Sequence, residues 1–252
     1  MSALAGKAVW VVGASSGIGA ALADELVTRG ARVAISARRA DRLEEVAGDR
    51  MSAVPLDVTD RDAVDEASRR VADEISGPDL VVFSAGAWEQ LDATAWDRDR
   101  FARQIEVNLL GLNNVLGAVL PPMLERGQGG IVGLASVAGY RGLAGAEAYG
   151  ATKAAQINLL EALRIAVGRR GVDVITVCPG FVRTELTEAN SFPMPFMIEA
   201  DQAARSICDG LEQGRAEIVF PLPMAVLMKL ARLLPVRLWA AAMQQFTRPK
   251  GR

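Results

Sequence analysis

The stretch AYGATKAA, residues 148–155, sets a tyrosine and a lysine four positions apart in a run of small apolar residues. The chain contains no histidine, so acid–base chemistry near neutral pH falls to another side chain. On a helix Tyr149 and Lys153 share one face, which brings the ammonium near the phenol. An unperturbed phenol titrates near about pH 10, and a neighbouring cation favours phenolate and lowers that value. Taken alone, the pair reads more simply as two polar residues on an exposed helix. The elements around it decide between the two.

Short apolar, β-branched runs alternate with longer helical patterns. AVWVV (8–12), RVAIS (32–36), SAVPL (52–56), DLVVFS (79–84), GIVGLAS (130–136), VDVITVC (172–178) and EIVF (217–220) read as seven strands. Helices are expected over about 18–29, 41–47, 97–124, 149–169 and 199–213, with a further one capped by Thr59 or Asp60 and running to about 75. Unbroken apolar strands indicate a sheet buried on both faces. With helices between them, the fold class is α/β: a single-domain, Rossmann-type, doubly wound parallel sheet of about seven strands. Residues 1–221 form the expected main domain. Residues 222–252 form an apolar and basic helical extension of it. Ligands in such folds bind beyond the C-terminal strand ends.

The 252 residues are half apolar and carry a net charge of −2, with no basic block or stripe, so no nucleic-acid partner is expected. Cys178 and Cys208 form no framework, and without histidine no metal site is expected. The N-terminus reads as a first strand, not a secretion signal, and a reducing, cytoplasmic setting is the default.

The first strand runs into VVGASSGIGAAL. Gly13, Gly17 and Gly19, with Ser15, Ser16 and Ile18 between them, lie where a strand gives way to a helix. There a backbone without Cβ can approach a pyrophosphate, and the helix N-terminus offers free N–H groups. The spacing is GxxxGxG, and three glycines also serve a tight connection. An acidic residue ending the second strand would favour NAD; here VAISARR ends on Arg38 and Arg39. A guanidinium suits a 2′-phosphate, so NADP(H) is preferred over NAD(H), with Arg38 the favoured contact.

With these features in order, the chain resembles the short-chain dehydrogenase/reductase family from about Lys7 to Phe220, which implies that residues 1–221 are a dinucleotide-binding catalytic domain. The resemblance rests on GASSGIG (13–19), LDV (56–58), SAG (84–86), VNLLG (107–111), Ser136, YGATK (149–153) and PGFVRT (179–184). It implies that Asp57 and Val58 line an adenine and that Ser84, Ala85 and Gly86 border a ribose. Pro179, Gly180, Val182 and Thr184 would cover a nicotinamide. Asn108 matches an asparagine that bends the long helix and holds a water. Ser136 matches the active-site serine, thirteen residues before Tyr149. Val12 and the pair Phe83–Ser84 depart from the family pattern at mainly structural positions. The resemblance further implies carbonyl–alcohol interconversion: Ser136 holds the oxygen, Tyr149 moves the proton, and Lys153 binds a ribose hydroxyl and lowers the phenol's pKa. It also implies a homodimer or homotetramer.

Substrate choice rests on apolar residues at strand ends and in one segment. Trp88, Val137, Tyr140 and Phe181, with Phe192 and Phe196 in a lid at about 184–200, could wall a pocket for a hydrophobic ketone or alcohol. The same residues could equally be packed against the core. Related readings are a 3-oxoacyl-thioester or hydroxysteroid reductase, and a non-catalytic NADPH-binding regulator or scaffold is the alternative from another class. The run VFPLPMAVLMKLARLLPVRLWAAAM (219–243) is interrupted by prolines and cations and is not expected to span a membrane. It packs on the protein or a partner subunit, or residues 222–243 make a peripheral membrane contact.

Overall fold

The computed structural model describes residues 3–188, 190 and 192–246. Of the expected lid, Ala189 and Ser191 lie outside the described residues, as do residues 247–252 of the C-terminal extension. Seven strands, β1 (Ala8–Val12), β2 (Arg32–Ser36), β3 (Ser52–Ala53), β4 (Leu80–Phe83), β5 (Gly129–Leu134), β6 (Val172–Pro179) and β7 (Glu217–Phe220), form one sheet. All neighbours are parallel and the order is β3-β2-β1-β4-β5-β6-β7. The direction of winding reverses between β1 and β4, the place where such sheets open a crevice for ligands.

The apolar strand runs are buried because helices cover both faces. One layer joins Val9 and Val11 to Leu22, Leu26 and Ile207. The other joins Trp10 and Phe83 to Val115, Met123 and Leu160. Trp10, wholly buried, meets its one polar need by donating its indole N–H to Ser36 Oγ at 2.9 Å.

Helices α1 (Gly17–Thr28), α2 (Ala40–Ala47) and α3 (Arg61–Ile75) follow the first three strands. Asp60, not Thr59, caps α3 by accepting from the Ala63 amide at 3.0 Å; Thr59 instead bonds the Asp57 carboxylate. The strand expected over 52–56 keeps only two ladder residues before Pro55, although Val54 and Leu56 still donate to β2 and its extension. The long helix expected over 97–124 is α4 (Arg98–Ile105) and α5 (Gly111–Arg126), joined by a π-helical turn at Glu106–Leu110. β5 ends at Leu134, so Ser136 stands beyond the strand and begins a 3₁₀ turn at Val137–Gly139.

Helix α6 (Glu147–Val167) carries the tyrosine and lysine, and α7 (Glu185–Glu188) and α8 (Ala200–Glu212) follow β6. The C-terminal extension is two helices, α9 (Leu222–Ala231) and α10 (Val236–Phe246), parted at Pro235, which cannot supply the amide that one continuous helix needs. α6 lies close on β5 because Gly133 has no side chain: a Cβ there would sit 2.3 Å from Leu160 Cδ1. Leu160 thus locks the helix bearing Tyr149 and Lys153 onto the sheet. Leu160→Ala is expected to lower the unfolding free energy by about 2–5 kcal/mol in a urea titration. A change below about 1 kcal/mol would show that this contact does not hold α6.

Candidate active site

At the C-terminal ends of the central strands a cavity of about 430 Å³ opens. Every residue assigned to a dinucleotide from sequence lines it, from Gly13 through Thr184, together with Ser136, Tyr149 and Lys153. Asn108 lies buried behind it, and Ala37, Leu56, Val107, Leu134, Ala135, Glu185, Leu186 and Thr187 complete the wall.

The turn after β1 is packed to backbone contact. Gly13 has φ +94°, and a Cβ there would meet the Ala85 amide nitrogen at 2.3 Å. At Gly19 a Cβ would stand 2.1 Å from the Gly13 carbonyl oxygen. Ser16, the residue preceding α1, makes no side-chain cap, so the first-turn amides of α1 face the cavity without one. Bare backbone, uncapped amides and the helix dipole fit a pyrophosphate.

The two arginines divide differently from the expectation that favoured Arg38. Arg38 is 70% exposed at its side chain and its guanidinium is 3.9 Å from the Asp57 carboxylate. Arg39 turns toward the glycine loop and donates to Ser16 Oγ at 2.9 Å and Ser15 Oγ at 3.2 Å. It also pairs with Glu185 at 2.9 Å, and that hydrogen bond holds the Glu185 carboxyl below its ordinary value. Glu185 had no signal in the sequence, since only the fold brings α7 beside the loop.

At the far end, Ser136 Oγ accepts from the Ala138 amide at 3.1 Å and sits within bonding reach of the Tyr149 phenol. Trp88 packs edge-on against Tyr149, with ring centroids 5.2 Å apart at 73°. The Lys153 amine lies 5.5 Å from the Tyr149 ring centre, yet its hydrogen bonds go elsewhere: to the Leu134 carbonyl at 2.7 Å and to Gln156 Oε1 at 2.9 Å. Burial dominates both titrations. It pushes the Tyr149 phenol up to about 12, against the opposing Ser136 hydrogen bond, and pushes Lys153 down to about 7. The expectation that Lys153 lowers the phenol's pKa is therefore not met in this structure. The amine is itself desolvated and is directed at a carbonyl and an amide.

Asn108 sits in the π turn. Its Oδ1 accepts from the Ala87 amide at 2.7 Å, and its Nδ2 donates to the Ala87 carbonyl and to Thr152 Oγ1, both at 3.0 Å. This ties the Ser84–Gly86 turn to α6. Asn108 is the residue expected from the resemblance to hold a water; here its carbonyl accepts from Gln156 Nε2 at 2.5 Å. Gln156, wholly buried, thus bridges Lys153 and Asn108. Its place three residues after Lys153, on the same helix face, was the signal that could have found it.

The residues expected to meet substrate separate. Trp88 and Phe181 face the segment after β6: Trp88 Nε1 donates to Asn190 Oδ1 at 2.8 Å, and the Phe181 and Phe192 rings lie 6.1 Å apart. Val137 and Tyr140 are instead buried with Ala135, Cys178, Met224 and Met228, beneath α9. The Tyr140 hydroxyl donates to Glu217 at 2.6 Å, on the side away from the cavity. The turn after Ser136 points them inward, a direction that spacing along the chain does not reveal. Phe196 is half-exposed with φ +59° and lines neither cavity. A second cavity of about 440 Å³ adjoins Trp88 and Leu186, and Glu89, Gln90, Arg100, Glu185 and Asn190 make it more polar than expected.

Because the folded Lys153 value lies below its ordinary 10.5, the unfolded chain binds an extra proton between about pH 7 and 10.5. Stability should therefore rise with pH across that window and should be least below pH 7. The raised Tyr149 value acts in the opposite sense, but only above its ordinary value of 10.0. Melting of the cofactor-free protein from about pH 6 to 9 should show a rise that Lys153→Met lacks. Parallel profiles for the two proteins would contradict the buried amine.

The model for short chain dehydrogenases matches residues 7–193. An uncharacterized oxidoreductase of Myxococcus xanthus is 41% identical over 248 residues, covering 96% of this chain and 98% of its own. Among solved structures, a short chain dehydrogenase from Burkholderia cenocepacia, crystallised in complex with NADP, superposes with a TM-score of 0.83 at 26% identity, covering 98% of this chain and 99% of that one. A short-chain dehydrogenase from Streptomyces avermitilis superposes with a TM-score of 0.81 at 27% identity, covering 96% and 97%. With a family match across most of its length and a relative of this identity end to end, the chain belongs to the short chain dehydrogenase family and is an oxidoreductase.

Proposed function

We propose that the protein interconverts a ketone or aldehyde and an alcohol on a largely hydrophobic substrate, using NADP(H), with Tyr149 as general acid and base. What carries the reading is the convergence of Ser136, Tyr149 and Lys153 at one end of a cavity whose other end is the bare glycine turn flanked by arginines. A nicotinamide dinucleotide held there supplies the hydride and, when oxidised, a positive charge. The Gly13–Gly19 backbone binds the pyrophosphate. Arg39, fixed over Ser15 and Ser16, and Arg38 at the rim bind the 2′-phosphate, with Glu185 giving way as Arg39 turns to it. Asp57 and Val58 border the adenine.

In reduction, Ser136 donates a hydrogen bond to the substrate oxygen and Tyr149 gives its proton as negative charge builds there. A phenol held near 12 is protonated at neutral pH, the form that a proton donor needs. In oxidation, Tyr149 takes the alcohol proton. Lys153 orients a ribose hydroxyl, while Gln156 and the Leu134 carbonyl fix its amine. Trp88 and the Phe181–Phe192 pair bound the apolar part of the substrate. The polar cavity beside Trp88 accepts a substrate that carries a polar end.

Tyr149→Phe removes the one transferable proton and should cut turnover by about 10²–10⁴-fold while leaving dinucleotide affinity unchanged. Turnover retained in that variant would overturn the mechanism. A screen of NADPH oxidation over aliphatic, aromatic, acyl-thioester and steroid ketones, repeated with NADH, tests substrate and cofactor together. Arg39→Ala should raise KM for NADPH by about ten- to a hundred-fold and leave KM for NADH nearly unchanged. Equal effects on both would remove Arg39 from 2′-phosphate recognition.

A further inference from the structure

Helix α9 is apolar on two sides. Met224, Ala225, Met228 and Ala231 face inward, toward the cluster of Val137, Tyr140 and Cys178. The opposite side presents Leu222, Val226, Leu227 and Leu230, from 50% to 74% exposed. The turn into α10 adds Leu233 at 79% and Val236 at 73%. Single exposed leucines are ordinary, but a contiguous group of this kind marks a surface that is covered in use.

Charge is segregated along the sequence as well. Beyond Glu217 it holds six of the 28 basic residues and none of the 30 acidic ones, and three of the six, Lys229, Arg232 and Arg237, lie among the described residues. The first 217 residues thus carry 22 basic against 30 acidic residues. Lys229 and Arg232 sit where the segment meets the core: Lys229 bonds Glu217 at 2.7 Å, and the Arg232 guanidinium lies 5.0 Å over the Tyr140 ring. Arg237 stands exposed on α10 between Val236 and Leu238. The combination is a leucine-rich face bordered by cations, attached to a body of opposite net charge.

We propose that α9 and α10 are a docking surface for an anionic lipid bilayer. The helices lie in the plane of the interface, with the leucines among the upper acyl carbons and the cations at the headgroups. Their lengths, 10 and 11 residues, are about half of the roughly 20 a spanning helix needs, so the segment rests on the membrane. A second copy of this chain fits the face less well. A two-fold pairing of this face would gather two copies of Lys229, Arg232 and Arg237 in one interface, with no acidic residue on the segment to balance them. The surface stands apart from the proposed chemistry. Because α9 also backs the turn after Ser136, docking would hold the cavity close to the lipid.

The test sediments the full chain with vesicles of phosphatidylcholine, alone or with about one third phosphatidylglycerol. Capture by the anionic vesicles is expected, at least about ten-fold weaker on neutral ones and declining as salt rises from about 0.05 to 0.5 M. The double variant Leu227→Gln, Leu230→Gln changes solvent-exposed positions and should lose capture while keeping wild-type melting and dinucleotide affinity. If that variant fails to fold, Arg237→Gln replaces it, with capture weakened about three- to five-fold. The proposal is overturned if anionic vesicles capture no protein, or if capture is indifferent both to salt and to the folded variant. It is equally overturned if the wild type is an oligomer that the double variant dissociates and that vesicles do not bind, since a second copy would then cover the face.

Discussion

The Lys153 amine is nearly closed off from solvent, and much of the site is arranged around that burial. An ammonium taken out of water is costly, so the group either finds strong acceptors or gives up its proton. Here it does some of each. The Leu134 carbonyl at the end of β5 and the Gln156 amide hold it, while its pKa falls to about 7. Gln156 in turn bonds the Asn108 carbonyl, and the Asn108 side chain grips Ala87. One buried amine thus ties together the end of β5, the π turn between α4 and α5, the loop after β4 and the start of α6. These are the segments that carry Ser136, Asn108, Gly86 and Tyr149.

The same chain of bonds passes through the π turn. Within Glu106–Leu110 the ladder is widened, with the Gly111 amide donating to the Glu106 carbonyl five residues back, and the Asn108 carbonyl accepts from Gln156. At the other end of the cavity the constraint is steric instead of electrostatic. Gly13 and Gly19 have no room for a Cβ, so at those two positions only backbone can line the turn. Hydride chemistry and phosphate binding are therefore supported by unrelated devices on the same strand ends.

Much of the fold could be read along the chain. The seven strands and their parallel arrangement follow from unbroken apolar runs separated by helical patterns, and the glycine turn announces itself by its place after β1. The strand ends were less legible: Pro55 shortened β3, and β5 stopped two residues before Ser136. The candidate site was legible where it depends on local spacing, as for Tyr149 and Lys153 on one helix face. It was illegible where a side chain's direction depends on a distant neighbour. Tyr140 was expected beside the substrate, but Glu217, 77 residues away, draws its hydroxyl to the other side. Arg39 and not Arg38 faces the glycine turn, because Ser15 and Ser16 lie across the sheet end from it.

By itself, then, the sequence determined the order of elements, the bare backbone of the phosphate turn and the shared face of phenol and amine. All three are consequences of periodicity and of the absence of side chains, which are local properties. Tertiary structure decided the charge states and the company each group keeps. Burial raised the phenol and lowered the amine, opposite to what their closeness alone implies, and an unremarked glutamine became the link between lysine and asparagine. Desolvation is set by how much of the whole chain surrounds a group, and no spacing within one helix encodes that.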